Sequence, residues 1–175
     1  MITTATAHDA PAIDCLLDAC FGPARRARTA YRLRDGVEPL PDLSLVFRDK
    51  GIAASIQLWP VALREPRGRV QQLILLGPLA VSPARRCEGL GKALLTDALA
   101  RADAAGIGPI VLIGDAPYYG AFGFDAAATQ RWTLPGPVDR TKLLAMATRI
   151  GVGDSTRFLV KHKGCLLYTS DAADE

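Results

Sequence analysis

The stretch "AVSPARRCEGLGKALL", residues 80–95, decides how this chain is read. Gly89 and Gly91 stand one residue apart, after an arginine pair and before an apolar pattern at helical spacing. Just upstream, "VQQLILLGPLAVS" at 70–82 is the longest β-rich apolar run. Continuous hydrophobicity of this kind belongs to a strand covered on both faces, at the centre of a sheet. Downstream, Leu90, Ala93, Leu94, Ala98 and Leu99 form a helical stripe that Gly106 ends. A strand that runs through glycines into a helix leaves backbone N–H groups unpaired at the positive end of a helix dipole, where an anion can sit. Glycines there let the backbone approach a phosphate without a Cβ in the way. Taken alone, the pattern fits an ordinary strand-to-helix turn equally well.

Working outward, residues 2–6 read as a β-branched strand and residues 8–20 as an amphipathic helix with His8 near its polar start. Gly22-Pro23 breaks that helix and opens a second, ending near Gly36. Its arginines, Arg25, Arg26, Arg28, Arg32 and Arg34, read as a solvated helix face. "LSLVFRD" at 43–49 and "IAASIQLWPVAL" at 52–63 make a hairpin about Asp49-Lys50-Gly51. Gly77-Pro78 must distort the central strand, because proline donates no ladder hydrogen bond. "PIVLIGD" at 109–115 is a short buried strand and "APYYGAF" at 116–122 a short helix or turn. "GFDAAA" at 123–128 enters another strand, and a proline-rich loop and a terminal strand follow over 131–150. The order β-α-α-β-β-β-α-β-α-β-β predicts one α/β domain over residues 1–164, with helices flanking a mixed sheet.

Composition narrows the partners. The chain has 175 residues, 49% hydrophobic and 22% charged, which is a folded domain rather than a disordered one. A net charge of +3, with basic residues offset by acidic ones along the chain, argues against nucleic acid. No apolar run approaches the ~20 residues of a membrane span. The first residues lack the basic start and apolar middle of a signal peptide, so the expected compartment is the cytoplasm. Cys15, Cys20, Cys87 and Cys165 show no CxxC and no metal spacing with His8 or His162, so free thiols and no metal are expected.

The glycine loop also carries a resemblance. Arg86-Cys87-Glu88-Gly89-Leu90-Gly91 is similar to the Gln/Arg-x-x-Gly-x-Gly/Ala signature of the GCN5-related N-acetyltransferases (GNAT). The resemblance runs over most of residues 1–150. It is nearest to the small bacterial predicted acetyltransferases that share "YRLR", "LGPLAV", "GDxxYYxxFGF" and "LPGPVD", here Tyr31–Arg34, Leu76–Val81, Gly114–Phe124 and Leu134–Asp139. Residues 165–175, "CLLYTSDAADE", resemble a translated sequencing adapter and are read as a non-native tail.

The resemblance implies a GNAT-type sheet whose central strand splays from its neighbour, with acetyl-CoA as co-substrate. It assigns the pantetheine arm and thioester carbonyl to main-chain groups of Leu79, Ala80 and Val81, and the pyrophosphate to Arg86, Cys87, Glu88, Gly89, Leu90, Gly91 and Lys92. Glu88 departs from what an anion-binding loop needs and is expected to point outward. The family pattern places a tyrosine four residues before the glycine of Gly123-Phe124. That residue is Tyr119, a general acid for the departing thiolate; the pair Tyr118 and Tyr119 would also serve as aromatic packing. Asp115 is the first candidate general base, ahead of Glu38, Asp42 and Glu65, and it would serve equally as a helix cap. Cys87 has no histidine beside it and reads as a loop residue.

Residues 22–41 and the "LPGPVD" loop are expected to border the acceptor, and arginines there suit an acidic one. The implied activity is transfer of an acetyl group to a primary amine of a small molecule or protein, by direct attack in a ternary complex. The alternative is a non-catalytic acyl-CoA sensor of the same fold. A nucleotide-binding reading lacks the acidic ribose-binding residue that follows a Rossmann glycine run. Homodimers, common in the family, fit as well.

Overall fold

The structure, a computed structural model, describes residues 1–64 and 70–146 and the backbone of 166–169. Glu65 and most of residues 147–175, including part of the predicted terminal strand and most of the segment read as a tail, lie outside the described residues. Strands β1 (Ile2–Thr4), β2 (Leu45–Asp49), β3 (Gly51–Arg64), β4 (Val70–Val81), β5 (Ile110–Ile113) and β7 (Leu143–Met146) form the path β1-β2-β3-β4-β5-β7. Strand β6 (Trp132–Thr133) pairs with β8 (Leu166–Thr169), which also lies parallel to Ala62–Arg64 of β3. The sheet is mixed: β4 is antiparallel to β3 and parallel to β5. The long apolar run therefore holds the central position its composition predicts.

Helix α1 (Ala10–Phe21) carries Pro11 in its first turn, where proline is tolerated, and is capped by Gly22, whose φ of 74° suits glycine. It buries Ile13, Leu16 and Leu17 against Val46 and Ala80. Helix α3 (Leu90–Ala104) covers the opposite face, packing Leu90, Leu94, Leu95, Ala98 and Ala102 on Ile56, Leu58, Ile74, Leu76, Ile110 and Leu112. Each fully buried leucine there contributes about 1.5–3 kcal/mol. Leu33, Val61, Leu63, Leu73, Leu75, Val111 and Leu143 form a further cluster beyond α1.

Two expectations are corrected. The arginine-rich segment is not a helix with a solvated face. It is a 3-10 turn, Pro23–Ala27, followed by a single turn, α2 (Thr29–Arg32). Arg25 is 2% exposed and bonds Asp14, Asp18 and the Tyr31 hydroxyl, and these bonds fold the segment inward onto α1. "GFDAAA" makes one bridge, Asp125 to Ala145, and then a 3-10 turn, Ala127–Thr129. The Asp125 carboxylate accepts from Ala127 N at 2.7 Å and bends the chain away from the sheet.

Gly77-Pro78 distorts β4 as expected. Ile56 pairs with Leu79 and Leu58 with Leu76, so Gln57 faces two residues, a β-bulge. On the other side of β4, pairing with β5 runs through Ile74, Leu75 and Leu76 and stops. Beyond Leu76 the two parallel strands part.

Candidate active site

The gap between β4 and β5 sets the site. Ser82 N donates to Ala53 O at 2.8 Å, which fixes the hydrogen-bond phase of upper β4. In an antiparallel pair that phase alternates, so the main chain of Ala80 turns to β3 and those of Leu79 and Val81 turn to the open side. The Val81 carbonyl there accepts from the Cys20 thiol of α1 at 3.2 Å, and burial pushes that thiol's pKa up. At the bulge, Trp59 Nε1 donates to Gly77 O at 2.8 Å.

The glycine loop joins β4 to α3 through a 3-10 turn, Pro83–Arg85, and two left-handed residues, Cys87 at φ 66° and Gly89 at φ 76°. Ala93 N donates to Gly89 O at 2.9 Å, so the N–H groups of Leu90, Gly91 and Lys92 have no acceptor within the helix. Arg86, Cys87, Glu88 and Lys92 are exposed. A Cβ on Gly91 would lie 3.4 Å from both Tyr118 Oη and Val81 Cγ2, so the helix start lies close against the open side of β4. Glu88 does not face the helix end alone: Arg85 Nε donates to its two carboxylate oxygens at 2.7 and 2.8 Å, and Arg85 Nη1 reaches Asp49 at 2.7 Å. That ion pair holds the Glu88 carboxyl below its ordinary pKa.

Helix α4 (Ala116–Gly120) begins where β5 ends, with the Asp115 carbonyl accepting from Tyr118 N and Tyr119 N, each at 3.0 Å. Tyr119 meets Tyr118 edge-on at 4.9 Å and Phe124 at 6.1 Å between ring centroids. Gly114 makes room for it, since a Cβ there would lie 2.3 Å from Tyr119 Cε2. Burial pushes the Tyr119 hydroxyl up to about 12, so it keeps its proton at neutral pH and can donate it. Tyr118 is 40% exposed.

A cavity of about 590 Å³ brings the parted strand and Tyr119 together. One wall is Leu76–Leu79 of β4 with Gly114, Asp115 and Tyr119; the other is Arg28, Thr29, Tyr31 and Arg34; Pro137, Val138 and Asp139 border it as well. The 134–139 loop is tied to α2 by Thr29 Oγ1 donating to Pro137 O at 2.5 Å and Arg32 Nη1 to Pro135 O at 2.8 Å. Both stretches expected to border an acceptor thus line one cavity. Asp115 caps α4 through its backbone only. Its exposed carboxylate is 2.9 Å from Lys142 Nζ. Glu38 lines a neighbouring cavity instead, and Asp42 is exposed away from both.

Sequence reasoning missed Cys20, Trp59 and Lys142. They come from three separate elements, and no local spacing connects them to the loop or the tyrosines. Among the described residues no three His, Cys, Asp or Glu side chains are grouped to hold a metal, and no helix is long and apolar enough to cross a membrane.

The comparisons with known proteins agree with this geometry. The Acetyltransferase (GNAT) family model matches residues 11–124. YhbS of Escherichia coli K12, an N-acetyltransferase described as uncharacterized, is 31% identical over 122 residues, spanning 69% of this chain and 70% of its own. The crystal structure of YhbS from Escherichia coli in complex with CoA superposes with a TM-score of 0.71 at 25% identity, covering 97% of this chain and 89% of that one. A GNAT family acetyltransferase from Brucella melitensis, in complex with acetyl-CoA, gives a TM-score of 0.57 at 30% identity over 84% of this chain and 95% of that one. The parted central strands, the glycine loop opening α3 and the matched residues 11–124 carry one conclusion: the chain belongs to the GNAT acetyltransferase family.

Proposed function

We propose that the chain is an acetyl-CoA-dependent N-acetyltransferase that moves an acetyl group to a primary amine by direct attack in a ternary complex. The observation that carries the reading is a single cavity lined by the open side of β4 and by Tyr119, with the uncapped start of α3 beside the same strand. The free N–H groups of Leu90, Gly91 and Lys92 suit a pyrophosphate, with Arg86 and Lys92 adding charge and Cys87, Glu88 and Gly89 shaping the turn. Two relatives hold CoA or acetyl-CoA in their crystal structures, which supports the same ligand here.

Acetyl-CoA supplies an acetyl group activated as a thioester. The Leu79 and Val81 main chains offer hydrogen bonds to the pantetheine arm, with Ala80 between them keeping the strand on β3. The Leu79 N–H, turned to the open side, would be the donor to the carbonyl oxygen as it gains charge; a fixed backbone donor stabilises that charge without titrating. The acceptor's ammonium must lose a proton before nitrogen attacks, and Asp115 at the cavity rim takes it, directly or through water. Tyr119, still protonated at neutral pH, gives its proton to the sulfur as the C–S bond breaks.

Tyr119→Phe tests the assignment. Thiol release with a responsive amine should fall about 10²–10⁴-fold, while acetyl-CoA affinity by calorimetry stays within about twofold. Undiminished turnover removes Tyr119 as the acid. Acetyl-CoA binding without thiol release across a broad amine panel turns the reading into a non-catalytic acyl-CoA module.

A further inference from the structure

We propose that the acceptor carries a carboxylate as well as its amine, and that Arg34 holds that carboxylate in the cavity beside Tyr119. The inference rests on the acetyl-transfer reading of this cavity and names the substrate class it serves.

Arg34 is 9% exposed, and its Nε donates to Ala30 O at 2.9 Å. Its guanidinium carbon lies 3.9 Å from the centre of the Tyr31 ring and 5.3 Å from that of Trp59. Among the described residues no carboxylate pairs with it. Arg25 is buried as well, yet the Tyr31 hydroxyl, Asp14 and Asp18 all bond it and raise its pKa; that of Arg34 is driven down to about 10 by burial. A buried cation without a counter-charge is costly unless a ligand answers it. Asp14, Asp35 and Glu38 line a second cavity that shares Arg34 as a wall, and none of them bonds it.

The other charges of the main cavity are already engaged. Lys142 pairs with Asp115, and Asp139 Oδ1 accepts from Thr141 N and Oγ1 at 2.9 and 2.7 Å. What remains is Arg34 and, exposed over the Phe21 ring, Arg28. Acetyl-CoA does not answer this charge, because its thioester end is neutral and its phosphates belong at α3. With Nε committed to Ala30 and the Tyr31 hydroxyl as a further side-chain partner, Arg34 still has Nη hydrogens to give, and a planar guanidinium fork matches the two oxygens of a carboxylate. Position follows from Trp59, which stacks on Arg34 and bonds Gly77 O, fixing the guanidinium relative to the bulge of β4. A cavity of about 590 Å³ suits an amino-acid-sized acceptor beside the thioester.

The experiment measures thiol release from acetyl-CoA with glycine, β-alanine, L-glutamate and L-phenylalanine, each beside its α-amide (β-alaninamide for β-alanine), and with phosphoethanolamine. At least one acid should exceed its amide by about tenfold or more in kcat/KM, mostly through KM. Arg34→Gln should collapse that ratio. Arg34→Lys, which keeps the charge and loses the fork, should reduce it in part and guards against a folding defect in the first variant. Equal use of acid and amide, a preference for phosphoethanolamine, or an unchanged ratio in Arg34→Gln overturns the proposal. If no amine releases thiol, acetyl transfer fails as a reading, and binding of the same acids to the CoA-saturated protein by NMR decides this one. Acid binding that Arg34→Gln abolishes sustains it, and absence of acid binding overturns it.

Discussion

Glu88 brings a negative charge into a loop suited to an anion, and its neighbours remove the conflict. Arg85, three residues earlier, binds both carboxylate oxygens and is itself held by Asp49 across the hairpin end of β2. Glu88 is exposed and Arg85 half-buried at the surface, so solvent already screens the pair. Glu88→Gln should therefore change the CoA dissociation constant by less than about twofold in calorimetry. A tenfold tightening would mean that the carboxylate repels the phosphates directly. The sequence shows Arg85 and Glu88 three apart, but their third partner, Asp49, is 36 residues away. Cys87 next to them adopts a left-handed φ of 66° that composition gave no reason to expect of a cysteine.

At the scale of elements, Gly91 lets the start of α3 lie against the open strand. Its φ is not left-handed, and a Cβ would meet Tyr118 Oη and Val81 Cγ2 at ordinary contact distance. Gly91→Ala should thus leave thermal stability equal or raised, alanine being the better helix former by up to about 1 kcal/mol. CoA affinity should nonetheless fall about tenfold or more, because the methyl fills the space between the helix start, Tyr118 and Val81 on the open side of β4. A melting curve with and without CoA reads both at once.

Most elements of the fold were legible before the structure: the hairpin, the central strand, α1, α3, and the distortion at Gly77-Pro78 all follow from period, turn chemistry and proline's missing donor. The arginine-rich segment was not. Its shape depends on Arg25 reaching Asp14 and Asp18, and a charge pattern alone reads as solvated. In the candidate site, the glycine loop and the tyrosines could be found locally. The pairing of Asp115 with Lys142 and the stacking of Arg34 on Trp59 could not, since each joins separate elements.

Across the whole molecule, the Asp9–Arg48 pair ties the turn before α1 to β2 near the sheet's edge. Arg48 Nη1 and Nη2 donate to the Asp9 carboxylate at 2.8 and 2.6 Å, and Thr6 N donates at 2.7 Å. The hydrogen bond from Arg48 is the chief reason the Asp9 pKa is depressed. A depressed carboxylate stabilises the fold above the unfolded pKa of about 3.9 and loses that contribution as pH falls through its lower folded value. Asp9→Asn should therefore lower Tm by roughly 2–6 °C at pH 7. The gap between the two proteins should narrow steadily as pH falls below about 4. A gap as wide at pH 2 as at pH 7 would assign the loss to packing.

The bulge in β4 has a consequence in chain length. Ile74 and Leu76 pack toward α3, and so do Leu79 and Val81, whereas Leu73 and Leu75 below and Ala80 above face the other way. Between Leu76 and Leu79 the strand carries one residue more than its partner needs to keep those faces. Losing a single codon at Gly77 or Pro78 would leave every core side chain on its own side while removing the irregularity at which pairing with β5 stops. A lineage could shed this cleft through one in-frame deletion and keep the domain, so among relatives the residue count between Leu76 and Leu79 marks the cleft more sharply than the identity of any residue in it.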